Sequence, residues 1–455
     1  MNGENRMETV HGLVWGPAML LAFLLVGIRY SVRLRGFQLL GFFHWWKTTA
    51  GSIGRNLREK TERAGEKEKI SQLQSACTAL AATIGTGNIT GVATALLAGG
   101  PGAIFWMWVS AFLGMATAYG ETELGIRYRR REREGGWLSG PMLYLEKGLQ
   151  CRPLGILYAF LCVTASFGMG SMVQANAISE SLGFAFSMPA VAVGMLLTVL
   201  VGKILLGGAL GIAKTAEKLV PVSAAIYLAA SAGVLFVYRE NILPALGLII
   251  KDACSFDSVA GGAAGFGVSR AMRYGIARGV FSNEAGLGSM AVLNGGVEET
   301  RPGIQGQWAM FEVFFDTIVS CTVTALVILC VMGAQVGMFS GNGADLTGFC
   351  FEAGLGNLGG YAVSVCVVLF AFATIIAWYY MGKQSAAYLG ETLGKDLGYP
   401  YLCFYLAAVF VGSLGPMEAV WELSDILNGL MAVPNLLALA VLSGQISRPA
   451  PAVHS

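Results

Sequence analysis

From Leu13 to Leu442 the chain repeats one pattern: an apolar stretch long enough to cross a bilayer, then a short polar or basic turn. A helical crossing needs about 20 mainly apolar residues. That measure predicts spans near Gly12 to Tyr30, Gln72 to Ala98, Gly102 to Ile126, Leu154 to Ser181, Met188 to Leu206 and Leu219 to Tyr238. Further spans are predicted near Gln307 to Met332, Gly360 to Met381, Tyr399 to Leu414 and Leu427 to Leu442. The first span lacks a basic leader and a small-residue cleavage site, so it reads as a retained helix rather than a signal peptide.

The placement of Lys and Arg orients these spans, because short cytoplasmic loops collect them. Arg29, Arg33, Arg35, Lys47, Arg55, Arg58, Lys60, Arg63, Lys67 and Lys69 all follow the first span. Its C-terminal end is therefore expected inside and the N-terminus outside. Arg127, Arg129, Arg130, Arg131, Arg133, Lys147 and Arg152 fall inside by the same alternation, as do Lys203, Lys214 and Lys218, and the turn Gly99-Gly100-Pro101 falls outside.

Parity then demands one more crossing between Arg239 and Gly306. The run Ile242 to Ile250 is too short, which leaves Val259 to Leu293. That segment carries Arg270, Arg273, Arg278, Asn283 and Glu284. Hydropathy alone rejects it, so it must face protein or water rather than lipid. The expectation is an all-α polytopic membrane protein of about 11 transmembrane helices: one extra N-terminal helix, then two halves of five. An odd number per half gives the halves opposite orientation. The corresponding units are 1–71, a peripheral helix with a basic linker; 72–238 and 239–445, the repeats; and 446–455, a cytoplasmic tail.

The first helix of each half is the polar, glycine-rich one. The first carries Thr83-Ile84-Gly85-Thr86-Gly87-Asn88-Ile89-Thr90-Gly91; the second carries Phe281-Ser282-Asn283-Glu284-Ala285-Gly286-Leu287-Gly288-Ser289. Interrupted helices in matched positions of inverted halves point to a transporter's central site. In hydrocarbon, backbone groups freed by a break must be satisfied by protein, water or a bound solute. Thr86, Gly87 and Asn88, with Ser282, Asn283 and Gly286, are the candidate substrate contacts, the N–H groups of a half-helix suiting a carboxylate. Two plainer readings stand beside this: Gly87 and Gly91 have the spacing of close helix packing, and Ser282 or Asn283 suits an ordinary helix cap.

Other polar residues within spans extend the candidate list. Gln174 is placed in the pocket lining, while Asn176 fits either the lining or a bond to a neighbouring helix. Thr374 is either back-bonded to its own helix or an oxygen ligand for a small hard cation, together with carbonyls near Ala82 and Gly85. Glu312 and Asp316 lie one turn apart and share a face. Glu312 is expected to pair with Arg273 or Arg278, and the role of Asp316 is left open. Trp45, Trp46, Trp106 and Trp108 read as interfacial belt residues.

Composition agrees with the pattern and removes whole classes of function. The 455 residues are 55% hydrophobic and only 13% charged, with 62 glycines and a mean hydropathy of +0.61, which excludes a soluble globular domain. The net charge of +2 gives no basis for a nucleic-acid partner; the lipid bilayer is the expected surrounding. His11, His44 and His454 all lie outside the spans, no phosphate-binding loop is present, and the nine cysteines are scattered. Membrane-embedded histidine catalysis, an ATP-driven pump, a metal centre and a disulfide framework are therefore not expected, and no cofactor is.

At the residues just named the chain resembles the alanine or glycine:cation symporter family. The resemblance runs from about Gln72 to Gly390 through GTGNITGVATALLAGGPGAIFWMWVSAFLGMATAYGETELGIRYR, RGVFSNEAGLGS, FDTIVSCTVTALVIL and AFATIIAWYYMG. It implies a LeuT-like 5+5 inverted-repeat fold and sodium-coupled uptake of a small neutral amino acid, alanine or glycine, across the cell membrane by alternating access. Carried over residue by residue, it puts substrate contacts on Thr86, Gly87, Asn88, Ser282, Asn283 and Gly286, and the sodium site near Ala82, Gly85 and Thr374. A proton-coupled carrier using Asp316 is the alternative. A channel and a membrane enzyme are more distant ones.

Overall fold

The computed structural model describes residues 10–54, 69–132, 136–254, 263–298, 300, 303–415 and 418–449. The predicted basic positions Arg55, Arg58, Lys60, Arg63, Lys67 and Arg133, the start of the polar crossing at 259–262, and 450–455 of the expected tail lie outside the described residues.

The chain is almost entirely helical. Among the described residues seven helices are long and apolar enough to cross a membrane, including Val10–Arg33, Gly102–Tyr128, Arg152–Phe186 and Asn357–Leu393. Gln72–Thr83 and Gly87–Gly99 together make another span, bent by 51° at its break. Ala190–Leu205 and Gly398–Gly412 are apolar but shorter. Several predicted spans prove longer than their apolar cores, since 37 residues from Asn357 to Leu393 are helical where Gly360 to Met381 was expected. Hydropathy sees only the part immersed in lipid. Helices Ile242–Ala253 and Gly343–Leu355, outside the predicted spans, pack against the bundle.

The crossing that hydropathy rejects is present as helix Ala263–Asn283, followed after a break by Ser289–Leu293. It survives its polarity because it packs on protein. At Gly275 a Cβ would come within 2.2 Å of the Ala103 carbonyl oxygen, and at Gly279 within 2.3 Å of Ser110 Oγ. The backbone of this helix thus lies directly on helix Gly102–Tyr128, the close approach that small residues permit between membrane helices.

The bundle has two chemically distinct ends. At one, Arg131 pairs with Glu298 at 2.5 Å, Arg130 pairs with Glu391, and Arg129 donates to the carbonyls of Gly295 at 2.8 Å and Val297 at 2.5 Å while lying 4.0 Å over the Trp137 ring. Glu298 N–H bonds to Ile70 O at 3.2 Å, joining the entrance of the first broken helix to the exit of the second. At the other end Asp252 Oδ2 accepts from Gly102 N–H at 2.7 Å, and Arg270 donates to Ala98 O. The polar segment therefore does cross from one end to the other, as parity required.

Among the described residues three helices carry a wide π turn: Gly87–Gly91, Gly168–Met172 and Phe314–Cys321. Such turns interrupt α-helices at functional positions more often than elsewhere. All three lie beside the residues singled out above.

Candidate functional site

Helix Gln72–Thr83 starts on a capping box, with Ser71 Oγ accepting from Gln74 N–H at 3.2 Å and Gln74 Oε1 accepting from Ser71 N–H at 3.1 Å. It ends at Ile84, whose backbone is extended (φ −78°, ψ 92°). The turn then closes on itself: Gly85 N–H donates to Asn88 Oδ1 at 2.9 Å. Gly85 is required here, because a Cβ would sit 2.9 Å from Thr374 Oγ1. Thr374 lies 3.0 Å from both Ala81 O and its own Phe370 O. Its single hydroxyl proton serves one of them at a time, so back-bonding and contact with the broken helix are both available to it.

The second break runs from Glu284 to Gly288. Glu284, Gly286 and Gly288 have φ of +56°, +93° and +97°, the left-handed region that is strained for glutamate and easy for glycine. Asn283 Oδ1 caps Ala285 N–H at 3.1 Å. The freed amides find a carboxylate: Gly286 N–H donates to Glu121 Oε2 at 2.9 Å and Met290 N–H to Glu121 Oε1 at 3.1 Å. Asn435 Nδ2 reaches Glu121 Oε2 at 3.3 Å and Gly286 O at 2.8 Å, and Tyr144 donates to Asn435 Oδ1.

The two breaks meet at Asp316. Asn88 Nδ2 donates to Asp316 Oδ1 at 2.6 Å; Ser282 Oγ and Thr317 Oγ1 donate to Asp316 Oδ2 at 2.9 and 2.8 Å. Asn283 Nδ2 joins through Thr317 Oγ1 at 3.1 Å, and Thr324 Oγ1 donates to Asn88 O at 2.8 Å. A buried carboxylate is tolerable only when hydrogen-bonded or paired, and here both oxygens are bonded. Among the described residues no Lys or Arg is buried. Asp316 therefore has hydroxyl and amide partners but no protein cation.

The predicted residues thus sort into groups. Asn88, Ser282 and Asn283 share the Asp316 network. Gly85 and Thr374 touch, and Ala82 follows the Ala81 carbonyl that Thr374 reaches. Thr86 Oγ1 donates to Gln174 Oε1 at 3.4 Å, and Gln174 Nε2 donates to Met169 O at 3.2 Å. Gly87 faces the Phe281 ring, which lies 3.8 Å from where its Cβ would be. Gly286 stands apart, its amide engaged by Glu121. Asn176 donates to Gly415 O at 3.0 Å and so serves helix packing.

Two expectations are corrected. Glu312 pairs with no arginine; its Oε2 accepts from Asn294 Nδ2 at 2.8 Å. Arg273 and Arg278 are held near His11 and Asp425 instead. Trp45 is fully buried, with Nε1 donating to Gln38 O at 3.2 Å, because the segment after the first span folds back as a short helix, Phe42–Thr48, against Phe314. Glu121 was missed by sequence reasoning, although an acid in an otherwise apolar span was signal enough.

The model of the sodium:alanine symporter family matches residues 2–450. The chain belongs to that family. It is 40% identical over 453 residues to the sodium/alanine symporter AgcS of Methanococcus maripaludis, covering 98% of this chain and 96% of that one. It is 35% identical over 441 residues to the probable sodium/glutamine symporter GlnT of Bacillus subtilis, covering 97% and 88%. The structure of MhsT in complex with L-phenylalanine superposes with a TM-score of 0.62 at 15% identity, covering 84% of this chain and 90% of that one, which shows the LeuT-like fold. This family member is accordingly a multi-pass membrane transporter of the sodium-coupled amino-acid symport class and not an enzyme.

Within such a symporter the arrangement offers two kinds of recognition. The turn at Gly85 to Asn88 presents the start of a helix, where backbone N–H groups and the positive end of the dipole favour an anion. Around Asp316 and Thr374 it presents oxygen atoms, which suit a hard monovalent cation. Both are arranged around the breaks, although Asp316 and Thr374 themselves stand on the continuous helices Ile304–Met338 and Asn357–Leu393.

Proposed function

We propose that this symporter couples sodium entry to uptake of small neutral amino acids, alanine or glycine, by alternating access. The observation that carries the reading is the bonding of Asn88 and Ser282, one from each broken helix, to the single carboxylate of Asp316. A cation entering there would touch both halves at once, which is how binding at one point biases a two-state equilibrium.

In this reading the substrate carboxylate lies on the backbone N–H groups at Thr86 and Gly87, with the Thr86 hydroxyl and Gln174 beside it. Asn88 is engaged by Gly85 and Asp316, so its part is to hold the break and contribute oxygen near the ion. Ser282 and Asn283 supply the second half of the pocket. Gly286 supplies shape, its amide being held by Glu121. Sodium is placed at Gly85, the carbonyls around Ala82 and Thr374, with Asp316 as a further oxygen ligand. Coupling follows if sodium favours the state open at the His11 end and completes the amino-acid pocket, a differential affinity between two states. That end is taken as external, with the N-terminus outside and the C-terminus in the cytoplasm.

Alanine uptake into proteoliposomes under a sodium gradient tests this. Uptake that persists when choline replaces sodium removes the sodium assignment. Proton coupling through Asp316 is the second reading, favoured by a buried carboxyl with no protein cation. It requires that a pH jump without sodium drive uptake and that Asp316→Asn abolish it.

A further inference from the structure

Glu312, on helix Ile304–Val313, is fully buried, yet it is held more thinly than Asp316 or Glu121. Asp316 accepts from Asn88, Ser282 and Thr317, and Glu121 from Gly286, Met290 and Asn435. Glu312 Oε2 accepts from Asn294 at 2.8 Å, while its Oε1 is buried with no hydrogen-bond partner among the described residues. Asn294 Oδ1 in turn accepts from Gln305 Nε2 at 2.6 Å, and Gln305 Oε1 is likewise buried and unpartnered. Of the elements packed against this helix, Gly102–Tyr128 brings Tyr119, Glu121 and Glu123, the last engaged by Gly303 N–H at 3.1 Å. Gln72–Thr83 brings Cys77, Phe42–Thr48 brings His44 and Lys47, and Asp316 follows one turn on. None of them forms an ion pair or hydrogen bond with Glu312. The segment that carries Asn294 is the seal at the Glu298 end: Leu293 O accepts from Ser75 Oγ at 3.1 Å, Gly295 O and Val297 O accept from Arg129, and Glu298 N–H reaches Ile70 O.

We propose that Glu312 is a proton-binding site that is loaded while the segment Leu293–Glu298 is seated and empties when that segment lifts. A buried carboxylate with one amide donor and no cation keeps its charge only at large cost. What the two unpartnered oxygens lack is a hydrogen to accept, and a proton on Glu312 supplies one. Both oxygens are sealed from solvent, which leaves no room for a metal ion, whereas a proton needs none. The proton comes from water at the Glu298 end, adds to the carboxylate to give the neutral acid, and returns to that water when lifting carries Asn294 away and hydrates the carboxylate. Because it enters and leaves on one side, it is not a transported ion. It is a ligand of the sealed form, so acid at that end holds the seal and alkali frees it. This is opposite in sign to the loss of the Arg131–Glu298 pair, which sets in only under stronger acid. The proposal rests on the alternating-access reading, to which it adds a control by pH on the side taken as cytoplasmic.

The test uses the purified full-length chain in liposomes and two readouts. In the infrared at neutral pH, the parent should show a protonated-carboxyl C=O band that loses intensity in Glu312→Gln; an undiminished band overturns the site. Where that variant does not fold, Asn294→Ala takes its place: it removes the donor to the carboxyl and should shift the band, and a band that stays put overturns the site equally. Lifting of the seal is read by N-ethylmaleimide labelling of Val297→Cys, a buried position, with Cys151, Cys254 and Cys403, which are not buried, replaced by serine. Rates are divided by those of the same chain unfolded in urea, which removes the thiol's own pH dependence. Labelling should rise several-fold from mildly acidic to mildly alkaline buffer, the limit for one proton being about ten-fold per pH unit. With Glu312→Gln it should stay at the low acidic value, and with Glu312→Asp, which still ionises, the rise should return. A flat profile in the parent, or the same rise in Glu312→Gln, overturns the proposal. Sodium-driven alanine uptake by the parent is measured in parallel: its absence refutes the symport reading and leaves the infrared result standing, whereas uptake with an undiminished band refutes only Glu312.

Discussion

Asn88 and Asp316 are joined by a 2.6 Å hydrogen bond between the first broken helix and helix Ile304–Met338, and the other end of the same amide holds Gly85 N–H. One side chain thus fixes the shape of the break and ties it to the carboxylate. Neither role tolerates a change of donor pattern, because an asparagine amide has one accepting and one donating end.

Asp316→Asn should therefore disable transport while leaving the protein in the membrane. The new amide presents an N–H where Asn88, Ser282 or Thr317 already donates, and an unmet buried donor costs about 1–3 kcal/mol. The expected outcome is a fall of roughly ten-fold or more in initial uptake, since 1.4 kcal/mol corresponds to that factor. Asn88→Asp combined with Asp316→Asn restores one donor and one acceptor, and should recover thermal stability without recovering uptake. Full uptake in the single variant would remove Asp316 from the mechanism.

Gly85→Ala should be damaging out of proportion to its size. Its Cβ meets Thr374 Oγ1 at 2.9 Å, inside ordinary contact. Adding Thr374→Ala relieves the overlap but deletes the hydroxyl proposed for sodium. The pair is expected to regain its unfolding midpoint, and sodium should no longer raise that midpoint, as a ligand of the folded state otherwise does. A sodium-dependent shift in the double variant would place the ion elsewhere.

Glu121→Gln tests the second break through stability. Glutamine keeps one accepting oxygen, so Gly286 or Met290 N–H then faces an amide nitrogen. The expected loss is about 1–3 kcal/mol, read as a lower midpoint in a thermal unfolding series in detergent. An unchanged midpoint would mean that the remaining bonds of the break, among them Asn435 to Gly286 O, Asn283 to Ala285 N–H and Tyr158 donating to Leu287 O at 3.2 Å, hold it without the carboxylate.

Acid should loosen the end of the bundle that carries Glu298. The Arg131 guanidinium holds the Glu298 carboxyl below its usual range, chiefly by hydrogen bonding. A folded value lower than the unfolded one, about 4.3, means the contribution is complete above that pH and is lost as pH falls through the folded value. The pair is partly exposed, so its contribution is small. Proteolysis or hydrogen exchange near Ile70 should rise below about pH 4 in the parent, and Glu298→Gln should show the same opening at neutral pH.

Much of the fold was legible because burial in lipid leaves a strong trace. Spans were found from apolar length, and the polar crossing expected within Val259 to Leu293 was found by parity where hydropathy failed. What sequence could not show is how polar residues pair across the bundle. Glu312 meets Asn294 rather than an arginine because the break after Gly286 turns the chain and brings Asn294 beside helix Ile304–Met338. Asp316, left open by the sequence, proves to be where the breaks meet, a relation spanning more than two hundred residues that no local pattern encodes. The contact of His11 with Asp425 at 2.8 Å was likewise hidden, since it joins one end of the chain to the other.

The π turns at Gly87–Gly91, Gly168–Met172 and Phe314–Cys321 have a mechanical consequence. Each stores one residue more than an α turn, so a helix that relaxes such a turn screws its downstream half round by roughly 100° while lengthening by about 1.5 Å. Asn88 and Asp316 sit within two of these turns and Gln174 just after the third. Side chains facing the central site can thus be swung away from it by a local change of winding, with no helix having to unfold.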